Sequence, residues 1–194
     1  ETDVTKPNIY MCTQLHSDEV PGFAFFSDTI RDALRGSVFD MHVPGFISGA
    51  LVDKDILHSC YMGVPFWANH PTQSINYVSC HDNNTLFDRI SLGAPEASFE
   101  TRVKMNNLAA AFTILSQGVP FMQAGEEMLR TKKNADGSYN ENSYNASDAV
   151  NNLRWNFTEE SPQWQYTINV VAVGFEEMLR QAQHDIQKER LKRK

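Results

Sequence analysis

Ser74-Ile75-Asn76-Tyr77-Val78-Ser79-Cys80-His81-Asp82-Asn83-Asn84 decides the reading of this chain. Its first residues have the β-favouring, largely apolar character of a buried strand. The stretch then stops in a polar cluster of one histidine, one aspartate and two asparagines. A strand of a parallel sheet that ends this way places an imidazole beside a carboxylate at its carboxyl end, where α/β proteins gather their functional groups.

Working outward, Gly22 to Asp28 is a short aromatic run bounded by Pro21 and Asp28, and it reads as an earlier strand. Thr29 to Arg35 reads as a helix stopped by Gly36. Between Ser37 and Pro71 proline and glycine recur among aromatics, which predicts a long loop with one short helix near Asp53 to Leu57. Ser74 to His81 is the second strand, and Thr85 to Ile90 a helical turn. Glu96 to Gln117 is an amphipathic helix whose predicted apolar stripe is Phe99, Val103, Leu108, Phe112 and Leu115. Val119 to Ala124 is the third strand, after Gly118 as the helix stop. A polar stretch from Lys132 to Asn152 follows. The last segment, 156–194, reads as a terminal helix with Ile168, Val171, Ala172, Phe175, Leu179, Ala182 and Ile186 on one side. Residues 1–21 read as a loop. The alternation of strands and helices predicts an α/β fold with a parallel sheet.

The 194 residues suffice for one domain with a sizeable core, and 41% hydrophobic with 21% charged residues fits a folded chain. A net charge of -7 and a pI of about 5.3 argue against nucleic acid as a partner. Lys188 to Lys194 carries five basic side chains and one acid, and reads as a solvated helix end. No apolar run is long enough for a transmembrane helix, so no membrane partner is expected. The first five residues are not a signal peptide, and the absence of an initiator methionine suggests a processed or truncated chain.

The three cysteines, Cys12, Cys60 and Cys80, form neither a disulfide framework nor a zinc pattern. Strand alternation puts Cys80 and His81 on opposite sides, which argues against a thiol nucleophile paired with histidine. His16, His42, His58 and His70 match no ligand spacing, so neither a metal nor a cofactor is expected. Glu126 and Glu127 read as structural carboxylates near a strand end. Asp28 and Asp32, flanking Arg31, read as rim charges.

Two motifs carry a resemblance. Tyr77-Val78-Ser79-Cys80-His81-Asp82 resembles the strand-seven motif of the alpha-amylase superfamily, aromatic-x-x-x-His-Asp. Gly118-Val119-Pro120 through Gly125-Glu126-Glu127 resembles its strand-eight motif, Gly-x-Pro-x-x-x-x-Gly-x-Glu. Their order, and a spacing of about forty residues, make the pair specific. The surroundings narrow the likeness to type I pullulanases. The segment from Gly22 to Gly49 is similar to the region around barrel strand six. Gly125 to Lys132, with Asn142 to Asn145 and Asp148, is similar to the loop after strand eight.

The resemblance implies the C-terminal portion of a (β/α)8 barrel, strands six to eight with their helices. It implies retaining hydrolysis of alpha-1,6 linkages in an alpha-glucan such as pullulan, limit dextrin or amylopectin. By motif position Asp82 is the carboxylate that stabilises the oxocarbenium-like transition state, and His81 hydrogen-bonds the sugar. Asn142 and Tyr144 are further candidates for glucan contact, and Phe87 and Trp67 candidates for stacking on sugar rings or for packing.

A retaining glycosidase also needs a nucleophile and an acid/base about 5 Å apart. In this superfamily they follow strands four and five. Gly22 to Phe26 imitates the nucleophile motif but has Ala24 and Phe26 where Arg and Asp are required. The chain alone is therefore expected to be inactive and to need the missing N-terminal half of the barrel. The alternative is a non-catalytic glucan-binding or interaction module built on half a barrel.

Overall fold

The computed structural model describes residues 13–154. The expected terminal helix over 156–194, and residues 1–12 of the expected loop, lie outside them. Three parallel strands, β1 (Phe25–Phe26), β2 (Ser74–Asn76) and β3 (Val119–Pro120), form one sheet in sequence order. Helices α1 (Asp28–Arg35) and α2 (Lys54–Tyr61) lie between β1 and β2 in the chain. Helices α3 (Leu86–Gly93) and α4 (Phe99–Leu115) lie between β2 and β3, and the short α5 (Asp148–Asn151) follows. The expected α/β alternation with a parallel sheet is what the chain adopts.

The strands are shorter than the sequence predicts, for reasons local to each. The last ladder bond of β1 runs from the Ser27 amide to the Ile75 carbonyl at 2.9 Å. Ser27 itself is the N-cap of α1, its hydroxyl accepting from the Ile30 amide, so the chain must turn there. On the other side Pro120 has no N–H to give, and the ladder ends with the Phe121 amide on the Asn76 carbonyl at 2.8 Å. With partners exhausted on both sides, β2 stops at Asn76 rather than His81. Tyr77, Val78 and Ser79 continue as buried chain outside the ladder. Gly118 is required where β3 begins: its φ is 121°, and a Cβ there would sit 2.8 Å from the Asn76 side-chain Nδ2 and 2.9 Å from the Ser74 carbonyl oxygen.

One core joins the elements. Ile30 and Leu34 of α1 meet Ile47, Cys60 of α2, Val78, Leu86 and Ile90 of α3, and Ala109 of α4. The expected helix near Asp53 is α2, capped by the Asp53 carboxylate, which accepts from the Asp55 amide at 2.7 Å. The expected turn at Thr85 is a full helix, α3, because the Thr85 hydroxyl accepts from the Asp88 amide at 3.2 Å and caps it.

The face of α4 departs from the predicted stripe. Val103, Asn106, Ala109 and Thr113 are buried, while Leu108 and Leu115 are nearly half exposed. Two of the buried positions are polar. The Asn106 amide donates to the Glu126 carbonyl at 3.1 Å, and the Thr113 hydroxyl to the Ala109 carbonyl at 2.9 Å. Counting apolar residues missed a face that polar side chains can share once hydrogen-bonded.

The loop after α1 is tied down by Arg89 of α3. Its buried guanidinium donates to the carbonyls of Met41 at 2.7 Å, Asp40 at 3.2 Å, Ser37 at 3.3 Å and Val43 at 2.5 Å. Gly36, with φ of 94°, opens that loop; a Cβ there would lie 2.1 Å from the Val43 carbonyl oxygen. Rather than a featureless connection, 37–43 is folded around one cation.

Candidate active site

The polar cluster lies just past β2, where the chain has left strand geometry. His81 is exposed, Asp82 and Asn83 are half-buried, and Asn84 is buried. Asn83 takes φ of 57°, a left-handed conformation that asparagine tolerates better than most residues. This turn allows Asn84 to tuck inward, where its amide donates to the Asn140 carbonyl at 2.9 Å and its carbonyl accepts from Arg35 at 3.1 Å.

Lys132 fixes the turn from behind. It is only 1% exposed, and its ammonium donates to the His81 carbonyl at 2.8 Å and to the Ser143 hydroxyl at 2.7 Å. The Ser143 hydroxyl in turn donates to the Asn83 carbonyl at 3.0 Å. The Lys132 amide donates to the buried Asp88 carboxylate at 2.7 Å. Burial, with the nearby Arg130 charge, brings the Lys132 ammonium down to about 8. The loop after β3 is thereby stapled to the loop after β2.

Ser143 is fully buried between the two candidate glucan contacts, Asn142 and Tyr144, which are both exposed; Tyr144 is 58% exposed. Sequence reasoning named the two flanking residues and missed Lys132 and Ser143, which hold their loop. The signal lay in the spacing of the polar stretch, but loop partners are not legible from composition.

Asp82 accepts a short hydrogen bond from the Cys80 thiol. Burial pushes the Asp82 carboxyl up, but the thiol bond, its own backbone amide and the charges of His81 and Arg35 outweigh burial, so it rests below the ordinary aspartate value. It is ionised at neutral pH and can face a developing positive charge. Burial, reinforced by the Asp82 carboxylate, pushes the Cys80 thiol up to about 11, which keeps it protonated and a poor nucleophile.

The expectation that Cys80 and His81 point apart is corrected. Because β2 has already ended, alternation does not apply, and the Cys80 sulfur, a His81 ring nitrogen and an Asp82 carboxylate oxygen all lie within 4.8 Å of one another. Among the described residues this is the cluster whose donor atoms are arranged as metal ligands would be. His16, His42, His58 and His70 belong to no such cluster.

Glu126, at the end of the β3 segment, is 4% exposed. One carboxylate oxygen accepts from the Ser79 hydroxyl and from the Gln123 amide, while the other is buried without a partner. Burial pushes this carboxyl up to about 7. Glu127 is exposed and accepts from the Gly125 amide at 2.9 Å. Arg35 lies buried behind the cluster, and its charge reaches both Asp82 and Glu126.

The rim charges form a network: Arg31 pairs with Asp28 at 2.6 Å and Asp32 at 2.7 Å, and the Tyr77 hydroxyl donates to Asp28 at 2.6 Å. Of the two candidate stacking aromatics, Trp67 is buried edge-on against Phe25, and Phe87 lies edge-on against Phe99. Trp67 is thereby buried in packing, while Phe87 is only partly buried.

No protein-family model matches the sequence. Its relatives are nonetheless unambiguous. Pullulanase of Bacillus subtilis strain 168 is 36% identical over 150 residues, which are 74% of this chain and 20% of that protein. The chain is homologous to a segment of the pullulanases. The chloroplastic pullulanase 1 of Arabidopsis thaliana is 48% identical over 99 residues, covering 50% of this chain and 10% of that one. The crystal structure of a mutant pullulanase from Paenibacillus barengoltzii complexed with maltotetraose superposes with a TM-score of 0.74 at 36% identity, over 87% of this chain and 27% of that one. The chain thus spans about a fifth of the Bacillus pullulanase.

Proposed function

We propose that residues 1–194 form the C-terminal portion of a glycoside hydrolase catalytic barrel, with β1, β2 and β3 as strands six, seven and eight. In this reading the chain is part of a debranching enzyme that cleaves alpha-1,6-glucosidic linkages of an alpha-glucan by a retaining mechanism. Asp82 stabilises positive charge on the sugar as the glycosidic bond breaks. His81, exposed beside it, hydrogen-bonds the same sugar. Asn142 and Tyr144, held by Ser143, contact the glucan further out. The nucleophile and acid/base come from the N-terminal half of the barrel.

The single observation that carries this reading is the position of Asp82. It is an ionised, half-buried carboxylate past the carboxyl end of the central strand, in a chain homologous to pullulanases. Solved pullulanases complexed with maltotriose, maltotetraose and maltohexaose support an alpha-glucan as the partner.

The test is reducing-sugar release from pullulan. The 194-residue chain alone is expected to release none. A hybrid in which this chain replaces the matched segment of the Bacillus subtilis pullulanase is expected to release sugar, and Asp82→Asn in that hybrid to lose at least about 100-fold, as removal of one preorganised electrostatic group does. Sugar release that survives Asp82→Asn overturns the assignment of Asp82. A hybrid that binds maltotetraose yet releases nothing favours the non-catalytic glucan-binding module instead.

A further inference from the structure

We propose that Cys80, His81 and Asp82 form a binding site for a thiophilic divalent cation of the zinc type. Three consecutive residues rarely converge, because alternation in a strand or the rise of a helix separates neighbours. Here the chain has left β2, and the left-handed Asn83 closes the turn, so sulfur, imidazole nitrogen and carboxylate oxygen come within 4.8 Å of one another. Tetrahedral zinc holds such donors at about 2.0–2.3 Å, which places them roughly 3.5 Å apart. Side-chain rotation would adjust these separations, opening the Cys80–Asp82 pair, which hydrogen-bonds in the chain, and drawing the other donors together. Lys132 and Ser143 hold the carbonyls of His81 and Asn83 and so fix the backbone on which the donors are carried.

The donor set selects the ion. One sulfur, one nitrogen and one oxygen favour zinc, cobalt or cadmium over calcium or magnesium, which prefer oxygen alone. On binding, the Cys80 S–H bond breaks heterolytically, its proton leaves to solvent, and the sulfur lone pair enters the coordination bond; nothing is oxidised or reduced. The thiolate and the Asp82 carboxylate then balance a dication's two charges. Lys132 and Arg35, the cations behind the loop, oppose the ion and set an upper limit on affinity. Exposed His81 leaves the fourth position open to water.

A consequence follows that does rest on the function proposed above. His81 and Asp82 cannot hold a cation and a sugar together, so metal and glucan exclude one another. A thiol in this place makes the site sensitive to thiophilic metals.

Cobalt is the probe, because a sulfur-to-Co2+ charge-transfer band in the near ultraviolet reports thiolate coordination without any activity. Titration of the full chain with Co2+ is expected to raise this band and Zn2+ to remove it. Cys80→Ser abolishes the band, whereas Cys12→Ser retains it. His81→Ala and Asp82→Asn each weaken Co2+ binding at least about tenfold. Far-UV circular dichroism of each variant checks that the fold is retained. Absence of the band, its survival in Cys80→Ser, its loss in Cys12→Ser, or unchanged affinity in both His81→Ala and Asp82→Asn overturns the site.

Maltotetraose binding by calorimetry, with and without Zn2+, separates the second claim. Zinc that weakens it at least about tenfold in the native chain and not in Cys80→Ser supports exclusion. Unaltered binding removes the exclusion and leaves coordination standing. Absence of maltotetraose binding in both conditions overturns the exclusion for this chain and leaves coordination standing.

Discussion

At the scale of single residues, buried ionisable groups set how this chain responds to pH. Glu126 is the clearest case. In water its carboxyl would titrate near 4.5, and in the fold burial raises it to about 7. Between those values the folded state holds a proton that the unfolded state has released. Stability from this group is therefore fully present below the unfolded value and is lost as pH rises through about 7. Asp88, also raised by burial, works in the same direction, and Asp82, held low, works in the opposite one at more acid pH. Glu126→Gln keeps the shape and removes the titration. Urea midpoints of the native chain should fall between about pH 5 and pH 8, and those of Glu126→Gln should fall markedly less. Equal slopes for the two would mean that Glu126 is ionised in the fold and that its unpartnered oxygen meets water.

At the scale of elements, the order of helices and strands and the parallel sheet were legible, because stop residues and apolar runs are local, while the buried face of α4 and the length of α3 were not. Ser27, Asp53, Thr85 and Ser98 each accept an amide hydrogen bond as a cap in the fold, and so set where their helices start. Strand lengths were not legible, because a strand extends only while its neighbours offer partners, and Ser27 and Pro120 withdraw them from across the sheet. The two sides of the site show the same division. His81 and Asp82 stand out in sequence, while the staple between their loop and the loop after β3 rests on Lys132, 50 residues away by number. Lys132→Met tests that staple. It leaves the Ser143 hydroxyl and the His81 carbonyl without the ammonium they share, in a buried place, which costs about 1–3 kcal/mol. The urea midpoint should drop accordingly, and proteolysis under native conditions should shift to the 133–147 loop. A midpoint unchanged from the native chain would show that the two loops hold together through Asp88 and Asn84 alone.

At the scale of the whole molecule, β1 and β3 are the outer strands of the sheet among the described residues, because its three parallel strands do not close. Parallel sheets are stable when both faces and edges are covered. Among the described residues Phe39, Leu51 and Phe66 are almost fully exposed, and Val119 and Phe121 are partly exposed at the β3 edge. Apolar surface of this kind associates, and the partner that fits it is the one whose strands continue the sheet. The chain alone at tens of micromolar should therefore sediment as species heavier than its 22.0 kDa. Co-expression with the preceding half of a pullulanase barrel should replace those species with a single 1:1 complex. On the proposed placement, the hydrophobic burial that drives both processes is the same, and the barrel half would in addition pair the edge amides of β1 and β3. If the chain sediments as a monomer and takes up no barrel half, its edges are already covered, and the proposed placement as strands six to eight of a shared barrel falls with that result.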